Sequence, residues 1–153
     1  MKISVLAVGK MGDRRIGGLC KEYRERLAHH VQVDEIEVSK VKRSDPASIM
    51  EKEAKNLRAA TPKGALSVAL TEEGKQLRSV ELAQAVNRWM VEGRKEIAFY
   101  IGGAHGLAPG LKKDAQRRWS LSPMTFPHDM ARMLLWEQLY RAMTIIRNEP
   151  YHK

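Results

Sequence analysis

At 153 residues with 43% hydrophobic side chains, the chain has enough apolar material for one domain's core, which excludes a wholly disordered protein. A single cysteine excludes a disulfide framework and a multi-cysteine metal site, and no apolar run reaches the roughly 18 residues of a membrane span. Lys and Arg number 27 against 18 acids, a formal charge of +9, and the excess is spread over both halves of the chain. Charge built into the folded body suits a polyanionic partner through counterion release, but it also serves solubility, and on its own it leaves both open. Met1–Val5 lacks the apolar region and cleavage site of a signal peptide, so a soluble cytoplasmic domain is expected.

Strand and helix patterns alternate along the sequence. Lys2–Val8 is short and β-branched and ends at Gly9-Lys10-Met11-Gly12. Asp13 then caps a helix whose apolar face is Ile16, Leu19, Cys20, Tyr23 and Leu27. Val31–Val38 reads as a strand, with a slip in apolar parity between Val33 and Ile36 that predicts a bulge or an edge. A basic loop (Lys40, Lys42, Arg43) leads to Asp45-Pro46, a cap followed by proline at the first helical position, and a helix to about Ala60.

Ala65–Leu70 is the third strand. Ser79 is expected to cap a helix with Leu82, Val86 and Met90 inward and Gly93 as its stop. Ile97–Ile101 is the fourth strand, breaking into Gly102-Gly103-Ala104-His105-Gly106 and a short helix from Pro109 to about Arg117. Trp119–Leu121 is a fifth strand, and Pro127 opens the last helix, ending near Arg147. That alternation predicts one α/β domain over 1–153, with a largely parallel sheet covered on both faces.

In such sheets ligands bind beyond the carboxyl ends of the strands, which singles out the loops after Leu70, Ile101 and Leu121. The glycine loop fits neither the dinucleotide fingerprint nor the phosphate-binding P-loop, and taken alone it reads more readily as a plain tight turn than as a cofactor site. Cys20 reads as core. The five histidines have no ligand spacing, so no metal is expected. The last helix is apolar on several sides around Leu135, Trp136 and Leu139, which predicts burial against two partners, one of them a second subunit.

Five segments taken together resemble the RlmH family, ribosomal large-subunit pseudouridine N3-methyltransferases of the SPOUT superfamily. They are Ala7–Lys10, Ile101–Gly106, Leu121–His128, Glu137–Ala142 and Pro150–Lys153, in order and across essentially the whole chain. The resemblance implies a SPOUT methyltransferase fold with a C-terminal trefoil knot, a rare exception to topology rules that periodicity cannot reveal. It implies S-adenosylmethionine (SAM) as cofactor, held by Leu70, Gly102, Leu121, Ser122, Pro123, Met124, Thr125 and Phe126. The expected substrate is a stem-loop of 23S ribosomal RNA in the ribosome. The alternatives are another RNA, such as tRNA, or a non-catalytic RNA-binding protein of the same fold.

Substrate-side candidates are His128, Arg132, Arg141, Tyr151 and His152. The arginines suit phosphate or a developing anion, Tyr151 suits stacking on a base, and His152 suits a proton relay. The structural alternative has His128 capping the helix, both arginines pairing with Glu137, and a frayed tail. Gly102→Val is expected to abolish SAM binding in a folded protein. A homodimer is expected in which Tyr151 and His152 of one chain serve the cofactor of the other.

Overall fold

The computed structural model describes residues 1–153. β-Branched and apolar residues dominate β1 (Lys2–Val8), β4 (Glu96–Ile101) and the first half of β3 (Leu66–Gln76), while β2 (Gln32–Val38) and β5 (Arg117–Ser120) are more polar. Between and after them lie α1 (Arg14–Ala28), α2 (Pro46–Ala60), α3 (Ser79–Val91), α4 (Pro109–Asp114) and α5 (His128–Ile146). The strands form one parallel sheet in the order β2-β1-β4-β3-β5. One core lies between the sheet and α1, α3 and α5, where Phe99, Trp136 and Leu139 are fully buried. A second, smaller core lies under α2 and α4, around Leu6, Leu57 and Leu111.

Several ends are set by the signals read from sequence. The Asp13 carboxylate accepts from the Arg15 and Ile16 N–H groups, and Asp45 accepts from Ser48 N–H ahead of Pro46. Gly93 follows α3 with φ +73°, and Arg94 N–H closes the end on Trp89 C=O at 2.9 Å. Other expectations shift. Leu19 is exposed, and Trp89 rather than Met90 is the buried residue near the end of α3, stacked on Trp119 at 5.2 Å. Ser79 lies inside α3 rather than capping it. Its hydroxyl bonds Gln138, while the Glu81 carboxylate accepts from the Arg78 N–H at the helix entry. The short helix α4 stops at Asp114, because Gln116 turns back to exchange hydrogen bonds with Ser67.

Two departures carry more meaning. β2 is an edge strand, as its pattern predicts, but its register against β1 runs unbroken from Gln32 to Val38, so no bulge exists. The parity slips because Glu35 and Glu37 occupy the side of the strand facing α5, where Arg132 meets them. β3 continues to Gln76 rather than ending at Leu70. Residues 71–74 bulge out, and both Leu70 and Lys75 register against Trp119. Gly74 permits this, since a Cβ there would lie 2.6–2.8 Å from the Trp119 backbone.

Leu135, Trp136 and Leu139 are inside the subunit, at 2%, 0% and 1% exposure. The helix is apolar on several sides because it lies between α1 and α3 above the sheet. Its composition therefore reports packing within one chain rather than a second subunit. No helix is long and apolar enough to cross a membrane.

Candidate functional site

The carboxyl ends of β3, β4 and β5 open into a cleft of about 770 Å³, within the range of small-molecule sites. Leu70, Gly102, Leu121, Ser122, Met124, Thr125 and Phe126 line it, whereas Pro123 does not. The glycine loop is a tight turn in which Gly106 N–H donates to Gly103 C=O at 3.0 Å, with Gly106 at φ +78°. Gly102 is needed for close approach rather than for positive φ. A Cβ there would stand 2.5 Å from the Gly106 carbonyl carbon and 2.8 Å from Leu107 N. The Gly102→Val expectation is corrected accordingly: the side chain would strike the loop's own backbone, so the loop must shift and stability falls with binding. The opposite wall, 121–126, makes no backbone–backbone hydrogen bond. Ser122 C=O accepts from Ser120 Oγ at 2.8 Å and Met124 N–H donates to Ser122 Oγ at 3.0 Å, and the remaining N–H and C=O groups are left to meet a ligand's polar edge.

Residues not recognised from sequence brace this cleft. Glu73 pairs with Lys112 and accepts from Thr71, which holds its carboxyl well below the usual range, at about 2. Glu72 accepts from Thr125 Oγ1 at 2.8 Å, tying the β3 bulge to the 121–126 wall. The signal was the acidic run Thr71-Glu72-Glu73 in a basic chain.

The five substrate-side candidates do not converge. His128, at the start of α5, is the one that lines the cleft, with Nε2 3.6 Å from Asp129 Oδ1. Arg132 is 1% exposed and lies outside the cleft. Its guanidinium donates to Glu35 Oε1 at 2.8 Å and Glu37 Oε1 at 2.7 Å, rather than to Glu137. Burial alone would lower the Arg132 pKa, but Glu37 and Glu35 outweigh it and raise it. Trp136 Nε1 approaches the same Glu35 oxygen, and Arg24 pairs with its other oxygen. One turn earlier, Asp129 Oδ2 accepts from Gly12 and Asp13 N–H, each at 3.0 Å. Asp129 and Arg132 thus fix the β1–α1 loop against the helix turn that carries His128. Cys20 borders this cluster and is 1% exposed; burial pushes its thiol up to about 11, as befits a core residue.

Arg141, Tyr151 and His152 do assemble, away from the cleft on the outer side of α5. Arg141 Nε donates to Glu137 Oε1 at 3.0 Å, and its guanidinium carbon lies 4.7 Å from the Tyr151 ring centre. Tyr151 Oη donates to Glu137 Oε1 at 2.9 Å, and Arg141 Nη1 lies 3.3 Å from His152 Nδ1. The tail is not frayed. Asn148 turns it at φ +55°, Glu149 N–H bonds Thr144 C=O at 2.9 Å, and Tyr151 packs edge-on against Tyr140.

The fold is shared with solved structures. A probable methyltransferase from Bordetella pertussis matches 92% of this chain and 95% of its own, with TM-score 0.57 and 15% identity. A probable methylase family protein from Haemophilus influenzae matches 99% of this chain and 70% of its own, with TM-score 0.54 and 14% identity. The family model described as "Predicted SPOUT methyltransferase" matches residues 1–152, which makes the chain a member of the SPOUT methyltransferase family. Within it, proteins named ribosomal RNA large subunit methyltransferase H align end to end. The Sorangium cellulosum protein is 43% identical over 99% of both chains, and the Ralstonia pickettii protein is 42% identical over 100% of this chain and 99% of its own. The chain belongs to the ribosomal RNA large subunit methyltransferase H family.

Proposed function

We propose that this protein methylates large-subunit (23S) ribosomal RNA, using SAM held in the cleft at the carboxyl ends of β3, β4 and β5, with N3 of a pseudouridine as acceptor. The single observation that carries this reading is the cleft itself, formed by the three loops in which the family resemblance places the cofactor. Its volume and mixed lining fit SAM, with the backbone groups of 121–126 not taken by Ser120 and Ser122 available for the adenine edge and a glycine loop that allows close approach. Bound there, SAM supplies a methyl group on a sulfonium, ready for in-line attack by nitrogen. The chain's contribution is placement: the Glu72–Thr125 and Glu73–Lys112 braces hold the walls at a fixed separation, so little reorganisation precedes reaction. His128, which lines the cleft, would accept the proton leaving N3.

The knot belongs to the same proposal. After β5, at the edge of the sheet, the chain returns over the strand ends to lay α5 between α1 and α3, a path that suits threading through the 102–116 segment. A homodimer completes the proposal. Met130 and Leu134 lie half-buried outside both packed cores, an apolar strip on α5 that suits a second copy. Pairing would bring the Arg141–Tyr151–His152 cluster to the partner's cleft, where Arg141 would meet phosphate and His152 would relay the proton. The setting for all of this is the cytoplasm, where ribosomes are.

The test is incubation with labelled SAM and ribosomes from cells lacking the native enzyme, followed by mapping of the nucleoside. One methyl on N3 of a large-subunit pseudouridine is expected; label in tRNA, or none, would overturn the reading. For the composite site, a cleft-blocked Thr125→Trp chain is mixed with a Tyr151→Ala/His152→Ala chain. Activity recovers if the tail acts in trans, and no recovery after verified subunit exchange would refute it.

A further inference from the structure

The +9 charge is not uniform in what it offers. Of the basic groups near the strand ends, Lys112 is committed to Glu73 and Arg132 to Glu35 and Glu37. Arg117 and Arg118 open β5, so they lie about 10–13 Å behind the cleft rim at ~3.3 Å per residue. Lys40, Lys42 and Arg43 in the β2–α2 loop are different: all three are exposed and none forms an ion pair. We infer that this loop is the seat for the RNA phosphate backbone, holding the strand beside the cleft while the target base enters it. The inference rests on the rRNA reading above and adds to it the surface that does the holding.

Placement supports the assignment. β1 pairs with both β4 and β2, so the end of β2 stands two strand spacings, about 10 Å, from the glycine loop. Glu53 joins the two places. It is a buried residue of α2, 3% exposed, and its Oε1 accepts from Val41 N–H at 3.1 Å in the middle of the basic loop. Its Oε2 has no partner and would lie 3.0 Å from a Cβ on Gly103. One carboxylate thus sits against both the basic loop and the cofactor-side loop, so the distance from phosphate to cleft is set by a buried contact. Asn56 adds a hydrogen bond to Ser39 C=O at 3.3 Å.

Arg43 supplies the second observation. It has φ +59°, a left-handed conformation that is costly for any residue with a Cβ and suits glycine. A long cation kept where glycine would be comfortable, without a carboxylate partner, is conformational strain retained for something outside the chain. RNA is the favoured occupant over an acidic protein surface, because the loop borders a cleft read as the entry for a base.

The experiment compares two variants that remove the same charge. Lys40→Gln/Lys42→Gln/Arg43→Gly empties the rim, and Lys95→Gln/Arg117→Gln/Arg118→Gln empties the rear, Lys95 being an exposed residue just before β4 at the amino end of the sheet. Affinity for large-subunit rRNA is measured across salt, with SAM affinity measured alongside. The rim variant should lose at least tenfold in RNA affinity, with the log–log salt slope shallower by about 2–3, while SAM binding stays within twofold. The rear variant should lose less than threefold. Equal losses, or a larger loss at the rear, would overturn the seat. Arg43→Gly alone guards against misfolding: its unfolding midpoint should hold or rise while RNA affinity falls, and unchanged affinity would count against the proposal. A wild-type chain that binds SAM but neither binds nor methylates rRNA would overturn the parent reading instead.

Discussion

Arg132 and Arg141 project from the same helix, and as residues in a sequence they are equivalent candidates for gripping phosphate. The fold separates them. Arg132 is 1% exposed and shared between two carboxylates of the neighbouring edge strand, whereas Arg141 keeps 24% exposure and one carboxylate, Glu137, on its own helix. Arg132 is consumed by its partners. Arg141 has spare donors, a Tyr151 ring against its guanidinium and a histidine beside it. An arginine's function follows from how many of its donors the fold leaves free, and that depends on residues nearly a hundred positions away.

The sharpest way to break this contrast is Arg132→Met. Glu35, with its side chain 7% exposed, would keep Arg24 as its one charged partner beside the long contact from Trp136 Nε1, and a buried charge that loses its main partner costs about 3–5 kcal/mol. The urea midpoint should drop accordingly. Adding Glu35→Leu should restore a large part of the loss, because apolar replacement of both partners removes the desolvated charge. If Arg132→Met costs under about 1 kcal/mol, the cluster is not structural and the contrast with Arg141 collapses.

Arg141→Ala should behave in the opposite way. Its partly exposed pair should cost no more than about 1 kcal/mol of stability. Methyl transfer to ribosomes, however, should fall about a hundredfold, or ~2.7 kcal/mol of transition-state stabilisation. An activity loss no larger than the stability loss would place Arg141 with Arg132 as a structural residue.

Sequence pattern was enough for the strand–helix alternation and the caps at Asp13 and Asp45, because those depend on neighbours within a few residues. It was also enough for the three loops of the cleft, since parallel strands must end on one side. It did not reach the buried ion cluster, although the parity slip in β2 was its trace: an apolar alternation interrupted by Glu35 and Glu37 marks carboxylates facing inward. Nor did it reach the pinned tail. Tyr151 finds Glu137, Tyr140 and Tyr23 only after Asn148 reverses the chain, and local propensity does not encode that return. The misreading of Trp136 has the same origin, since a helix between two others of one chain looks from sequence like a helix at an interface.

Tyr151→Phe is a gentler probe of the exposed cluster. It removes the phenol's hydrogen bond to Glu137 but leaves the ring on Arg141 and Tyr140, so about 0.5–1.5 kcal/mol of stability is at stake. Thermal unfolding at neutral pH measures it. A loss above 3 kcal/mol would mean that the tail anchors the core, contrary to its position on the outside of α5.

The smallest effects are in pH, where the two clusters should act at opposite ends of the scale. Burial would raise the Glu37 pKa, but hydrogen bonds from Arg132 and Met11 N–H outweigh it and hold the carboxyl below the usual 4.5. Between those values the unfolded chain binds more protons than the folded one, so stability rises with pH there. The contribution is complete above 4.5 and is lost as pH falls through the folded value. Tyr151 is shifted the other way: burial, with the bonds to Tyr23 and Glu137, holds its phenol well above the usual 10.0. Here the folded chain keeps the proton longer, so stability is complete below 10 and declines as pH climbs toward the folded value. Glu37→Gln should therefore flatten the acid limb of a stability–pH curve without touching the alkaline one, and Tyr151→Phe should do the reverse. If each variant changed both limbs, the two clusters would be one coupled network along α5, and the division between a buried structural arginine and a partly exposed one proposed to meet phosphate would have to be abandoned.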